Sequence, residues 1–184
     1  MNFVVKALTL PLLPFVPTMS FADWNGGYAG LTVGNVDAEI DFELAERFTF
    51  SDAVAVGGFG GALVQRGAIV FGGEIALNSA NDAEIEDGEV LKTFTDLKGR
   101  IGYDLGQALV YGVAGYTLAG YDENGEDFDG AGLNYGVGVD YKFSDQMFAG
   151  AEYLVRRING DYPNDPAEFD LDLDTFSVRV GFNI

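Results

Sequence analysis

The stretch Leu133 to Phe143 reads LNYGVGVDYKF, and its residues alternate without a break. Leu133, Tyr135, Val137, Val139, Tyr141 and Phe143 occupy one parity; Asn134, Gly136, Gly138, Asp140 and Lys142 occupy the other. Period-two alternation is the mark of a β-strand with one apolar and one polar face. Two of the five polar-face residues are glycine, which leaves the face too bare to keep a protein dissolved. If the aliphatic and aromatic face meets lipid instead, the glycines line a narrow interior, as in a membrane barrel. A soluble lipocalin-like ligand carrier would reverse the two faces.

The same alternation recurs along the chain. Segments with it are Tyr28 to Ile40, Ala53 to Leu63, Ala68 to Asn78, Thr93 to Tyr103, Ala108 to Tyr121, Leu133 to Phe143, Met147 to Ile158 and Thr175 to Ile184, with no helical period between them. Their connectors alternate in length. VQRG, DLGQ and SDQ are short, whereas residues 41–52, 79–92, 122–130 and 159–174 form long ones. A meander of this kind has a short-turn rim and a long-loop rim. An even number of strands closed on itself leaves no open edge, and eight enclose a space that side chains just fill. The expected fold is all-β: an eight-stranded antiparallel up-and-down transmembrane barrel with both ends on the periplasmic side. Segments of about 10 to 14 residues suit a tilted membrane strand. Tyr103, Tyr111, Tyr141, Phe143 and Phe182 fall near strand ends, where an aromatic girdle belongs.

Residues 1–22 read MNFVVKALTLPLLPFVPTMSFA: Lys6, an apolar run from Ala7 to Val16, and the small-x-small end Ser20-Phe21-Ala22. This pattern is that of a secretory signal peptide, which sets the expected domains as residues 1–22 for the leader and 23–184 for the barrel. The 184-residue chain carries 29 acidic and 10 basic residues, a formal net charge of -19. With no positive field to hold phosphates, nucleic acid is excluded as a partner. The chain has no Cys and no His, so thiolate metal sites and the commonest general base are missing.

Several motifs resemble a known family. DWNGGYAGLTVG at Asp23 to Gly34, GGFGGALVQRGAIVFGGEIAL at Gly57 to Leu77, KGRIGYDLGQALVYGVAGYTLAG at Lys98 to Gly120 and GAEYLVRRING at Gly150 to Gly160 resemble, in order and spacing, the OmpA-like superfamily of small outer-membrane barrels, especially its alphaproteobacterial porin-family members. The resemblance implies residence in the outer membrane, contact with lipid and lipopolysaccharide, and insertion by the barrel-assembly machinery. Such proteins usually end on Phe; here the last residue is Ile184, which leaves Phe176 and Phe182 to carry the assembly signal.

Chemistry is sparse. The glycines of GGFGGA (Gly57, Gly58, Gly60, Gly61) lack the following helix that a phosphate loop needs, so they read as strand. DENGEDFDG at Asp122 to Gly130 lacks the ligand spacing of a helix-flanked calcium loop and reads as solvated loop. No catalytic residue, cofactor or dedicated metal site is expected, and no enzyme; a lipid A-modifying barrel would need a Ser with a base beside it. The expected role is structural or porin-like, with loop-mediated adhesion as the alternative. The polar parity carries Glu74, Lys98, Arg100, Asp140, Lys142, Glu152, Arg156 and Arg179, so half of the 10 bases point to the interior. Charges in a narrow bore persist only when paired, and an ion-pair network that plugs the lumen follows.

Twenty-one of the 29 carboxylates cluster in the four long connectors or at the adjoining strand ends. Divalent cations are candidate partners of such clusters, although hydration alone accounts for charge runs of this kind. Under the hydration reading, millimolar Ca²⁺ leaves both the melting temperature and the protease sensitivity of the connectors unchanged; a rise in the first or a fall in the second is the signature of bound ions.

Overall fold

A computed structural model describes residues 23–42, 45–81, 84–85, 89–123, 126–162 and 165–184, and the expected leader, residues 1–22, lies outside them. Side chains are described for residues 23–36, 54–79, 93–119, 130–158 and 172–184. The strands are β1 (Gly26–Phe42), β2 (Ala45–Arg66), β3 (Ile69–Asn81), the two-residue β4 (Glu84–Ile85), β5 (Glu89–Asp104), β6 (Ala108–Glu123), β7 (Glu126–Lys142), β8 (Met147–Tyr162) and β9 (Asp165–Asn183). The eight long strands run antiparallel in the order β3-β2-β1-β9-β8-β7-β6-β5, and pairing of β3 with β5 closes the sheet into a barrel. The stub β4 pairs with the outer end of β5.

Each short connector has a local cause. Strands β2 and β3 meet through Gly67 and Ala68, with Gly67 at φ 63°, the left-handed conformation that a two-residue hairpin turn demands. Between β5 and β6, the Asp104 carboxylate accepts the Gly106 N–H at 2.7 Å while Gly106 holds φ 92°. Asp104 thereby forms the side-chain-to-backbone turn typical of aspartate.

At the opposite rim the structure departs from the expected long connectors. The strands continue through most of residues 41–52, 79–92, 122–130 and 159–174 as hairpin ribbons, two of them joined edge to edge where β1 stays paired with β9 as far as Asp41 and Asp170, with pairs such as Glu39 and Thr49, Tyr121 and Phe128, and Asp161 and Glu168. Ladder bonds use only backbone groups, so a hairpin extends in register even where acidic side chains have poor strand propensity. Strand β2 reaches 22 residues, against the roughly 9–11 needed to cross the hydrocarbon. Most of the acidic side chains in these ribbons lie outside the described residues.

The alternation settles which face meets lipid. Leu133 and Val137 are 65% and 62% exposed on the outer wall, whereas Asn134 and Asp140 are 2% and 1% exposed inside. Aliphatic residues including Leu31, Val54, Ile75, Ile101 and Val180 continue this apolar belt around the barrel. Near the short-turn rim it is edged by Phe71, Tyr103, Tyr141, Phe143 and Phe182; farther up lie Tyr116, Tyr135, Tyr153 and Phe176. Such aromatic girdles mark the two interfaces of a membrane barrel.

Tyr111 corrects the expected girdle, because it points into the lumen and is 3% exposed. Both parities of β6 are apolar, so the strand's own sequence does not set its phase. Its register does. Tyr111 lies between Gly102 of β5 and Gly138 of β7, and a Cβ on Gly138 would fall 2.3 Å from the Tyr111 ring. The same interlock recurs, with Phe148 against Gly181 at 2.1 Å, Phe59 against Gly30 at 2.4 Å and the Tyr28 hydroxyl against Gly61 at 2.6 Å. Lumenal glycines thus create the room that four inward aromatics occupy.

Gly138→Val should displace Tyr111 and destabilise the barrel by about 1–3 kcal/mol, the usual cost of overpacking. Gly60, where a Cβ would meet nothing nearer than 3.6 Å, should accept Val without loss. Urea unfolding of the two variants in detergent checks the contrast.

Candidate functional site

The lumen is filled in layers. At the short-turn rim, Trp24, Leu63, Val70, Leu109, Tyr28, Phe59 and Phe148 pack as one buried cluster. Edge-to-face and tilted ring contacts at 6.1–6.3 Å join Trp24, Tyr28 and Phe59 to Phe148. Above them comes charge. Two-residue steps along each strand carry the chain inward again at Glu74 of β3, Lys98 and Arg100 of β5, Asp140 of β7, Glu152 of β8 and Arg179 of β9.

These six side chains form one neutral cluster of three carboxylates and three cations, none more than 6% exposed. Glu74 is its hub, with Lys98 at 2.7 Å, Arg100 at 2.9 Å and Arg179 at 2.6 Å. Glu152 accepts from Lys98 at 2.6 Å and from Arg179 at 3.2 Å, while Asp140 faces Arg100 at 2.6 Å and Arg179 at 3.4 Å. The Tyr28 hydroxyl donates to Glu74 at 2.8 Å and the Tyr111 hydroxyl to Glu152 at 3.1 Å. The Arg100 guanidinium lies 3.7 Å from the Tyr111 ring centre, and that of Arg179 3.8 Å from that of Phe59. Burying a charge without such partners costs several kcal/mol, so the pairs, hydroxyls and ring faces together make the cluster tolerable.

A second clamp stands farther from the short-turn rim. Arg156 of β8 grips Asp96 of β5 with two parallel bonds, Nε to Oδ1 at 2.9 Å and Nη2 to Oδ2 at 2.7 Å. Thr117 and Asn78 donate to the same carboxylate at 2.7 and 3.1 Å, Asn134 donates to Thr117, and the remaining Arg156 nitrogen donates to Thr175. Arg156 also lies 4.4 Å from the Phe94 ring centre. Forked arginine–carboxylate pairing fixes geometry as well as charge. Between clamp and cluster is a cavity of about 20 Å³ lined by Thr32, Asn78, Lys98, Glu152, Ser177 and Arg179 among others. That is room for about one water molecule.

Of the eight lumen residues marked in the sequence, the structure brings six into the central cluster, seats Arg156 in the clamp, and separates Lys142. Lys142 sits at the short-turn rim, where its ammonium donates to the Asp23 carbonyl and lies 4.6 Å from the Trp24 ring centre. Among the participants missed are Asp96, Tyr28 and Tyr111. Asp96 shares the parity of Lys98 and Arg100, and Tyr28 shares that of Gly30 and Gly34, so simple alternation contained both. Tyr111 had no such signal.

A closed eight-stranded barrel with an apolar belt, aromatic girdles and a polar filled bore defines a transmembrane protein of the outer membrane. The family model for the outer membrane protein beta-barrel domain matches residues 8–183, and the chain belongs to that family. It is 28% identical over 181 residues to the 22 kDa outer membrane protein of Rhizobium leguminosarum bv. viciae, covering 91% of this chain and 81% of that protein. It is 30% identical to the 25 kDa outer-membrane immunogenic protein of Brucella canis, covering 86% and 77%. Among solved structures, Neisserial surface protein A superposes with a TM-score of 0.58 at 16% identity, over 86% of this chain and 97% of that one, a likeness of fold.

Removing one member of a buried pair strands its partner. Arg156→Met should therefore lower unfolding stability by about 3–5 kcal/mol, and the double change Asp96→Leu with Arg156→Met should recover most of it. Fluorescence of the single tryptophan during urea unfolding reads both.

Proposed function

We propose that the protein is a structural component of the outer membrane, a barrel closed to ions that anchors and presents its long acidic ribbons at the cell surface. The observation that supports this reading is the neutral six-charge cluster spanning the bore. The contacts Glu74–Arg179 and Lys98–Glu152 each join strands three places apart in the barrel, and so cross the lumen rather than follow its wall. A conducting pore needs a continuous water path with unpaired or exchangeable charges along it. Here the polar cavity holds about one water, with an arginine–carboxylate layer on either side. In this reading lipid surrounds the apolar belt, and lipopolysaccharide flanks the bases of the ribbons. The strands outrun the membrane on the ribbon side alone, consistent with extracellular display. The name of the Brucella relative, an immunogenic protein, fits surface exposure.

Planar-bilayer recording tests the reading. The purified wild-type protein should insert without giving a steady current; a large, steady, ion-selective conductance would overturn it and favour a diffusion pore.

A further inference from the structure

The aromatic layer at the short-turn rim is not made by strands alone. Residues 23–25 precede β1, yet Trp24 is only 2% exposed and packs with residues of β2, β3, β6 and β8. Its backbone N–H donates to the Gln65 side-chain oxygen at 2.8 Å, and the Gln65 N–H donates to Asn25 Oδ1 at 2.8 Å. One residue earlier, the Asp23 carbonyl accepts the Lys142 ammonium. Gln65 is the penultimate residue of β2 and Lys142 ends β7, and these strands stand four places apart among eight, on opposite walls. The segment is therefore anchored across the full width of the mouth.

We infer that residues 23–25 form a hinged strap that seals the periplasmic mouth of the lumen with the Trp24 indole, a closure separate from the charge cluster. The hinge is Gly26, whose φ of 110° turns the chain from the mouth into β1 and which side chains rarely adopt. The strap is internally braced, because both the N–H and the side-chain amide of Asn25 donate to one Asp23 oxygen, at 2.9 and 2.7 Å. It swings as a unit. The buried Trp24 indole nitrogen has no hydrogen-bond partner among the described residues. An unsatisfied buried donor penalises the docked state and leaves it poised against the open one, in which water satisfies the indole. Release uncovers a cup of Leu63, Val70, Leu109 and Phe148 facing the periplasm, while the lumen stays shut above at Glu74 and Arg100. The two barriers stand in series.

The absence of cysteine allows a direct test. Leu109→Cys places one thiol beneath the indole, and its reaction with a charged maleimide is timed in detergent micelles, where both rims meet the reagent. With the native strap, labelling should be slow; Gln65→Ala, which removes an anchor while leaving Trp24 in place, and Trp24→Ala should each speed it at least tenfold. Trp24→Phe should give an intermediate rate. Heat-modifiable gel migration scores each variant as a folded barrel, so that unfolding is not read as opening. Equal labelling rates across the folded variants overturn the strap. A wild-type bilayer current would overturn the closed-barrel reading without altering this result, which keeps the two failures distinct.

Discussion

Hydrocarbon offers backbone amides no hydrogen-bond partner, so a sheet that crosses it must pair every strand on both sides. The β3–β5 pairing meets that requirement by turning an eight-stranded ribbon into a cylinder. Closure at eight strands then sets the bore, and the bore dictates what can line it. Phe59, Tyr111 and Phe148 enter where a neighbour is glycine, and the six charges of the central cluster where counter-charges stand across the bore. The reversal of hydrophobicity, with Leu133 and Val137 outside and Asp140 inside, follows from the same solvent.

Charge inside this barrel is balanced even though the chain as a whole is strongly acidic. Three carboxylates meet three cations in the central cluster, and Asp96 meets Arg156 in the clamp. A net lumenal charge would be repelled by its own image in low dielectric, whereas the surplus acid costs little in the water-exposed ribbons. The distribution of 10 bases among 29 acids is in this sense a solvation map. The register sets acid opposite acid at Asp41 and Asp170, Asp122 and Asp127, and Glu123 and Glu126. Like-charged cross-strand pairs weaken a sheet modestly.

Aromatic and glycine positions work as a pair throughout. Arg100 lies against Tyr111, which lies against Gly138; Arg179 lies against Phe59, which lies against Gly30. Each stack runs from the charge cluster to the wall, so that a cation is held by a ring and the ring by the missing side chain behind it. Packing and electrostatics therefore fail together: displacing a ring also removes a face that stabilises a buried guanidinium.

Period-two alternation alone carried the architecture, because each strand that faces lipid on one side and a polar bore on the other records the difference at every residue. It located all eight long strands, their short turns and the inward charges, and it already contained Asp96 and Tyr28. It was silent where the two faces are chemically alike: Tyr111 went inward because glycines on β5 and β7 made room, a property of register rather than of β6. It was silent too on the ribbons, whose ladder bonds belong to the backbone and leave no trace in side-chain pattern. Which charge meets which was decided by closure, since Glu74 and Arg179 are distant in sequence and touch only across a cylinder. The same holds for the strap, in which the barrel's diameter brings Gln65 and Lys142 to the two ends of one short segment.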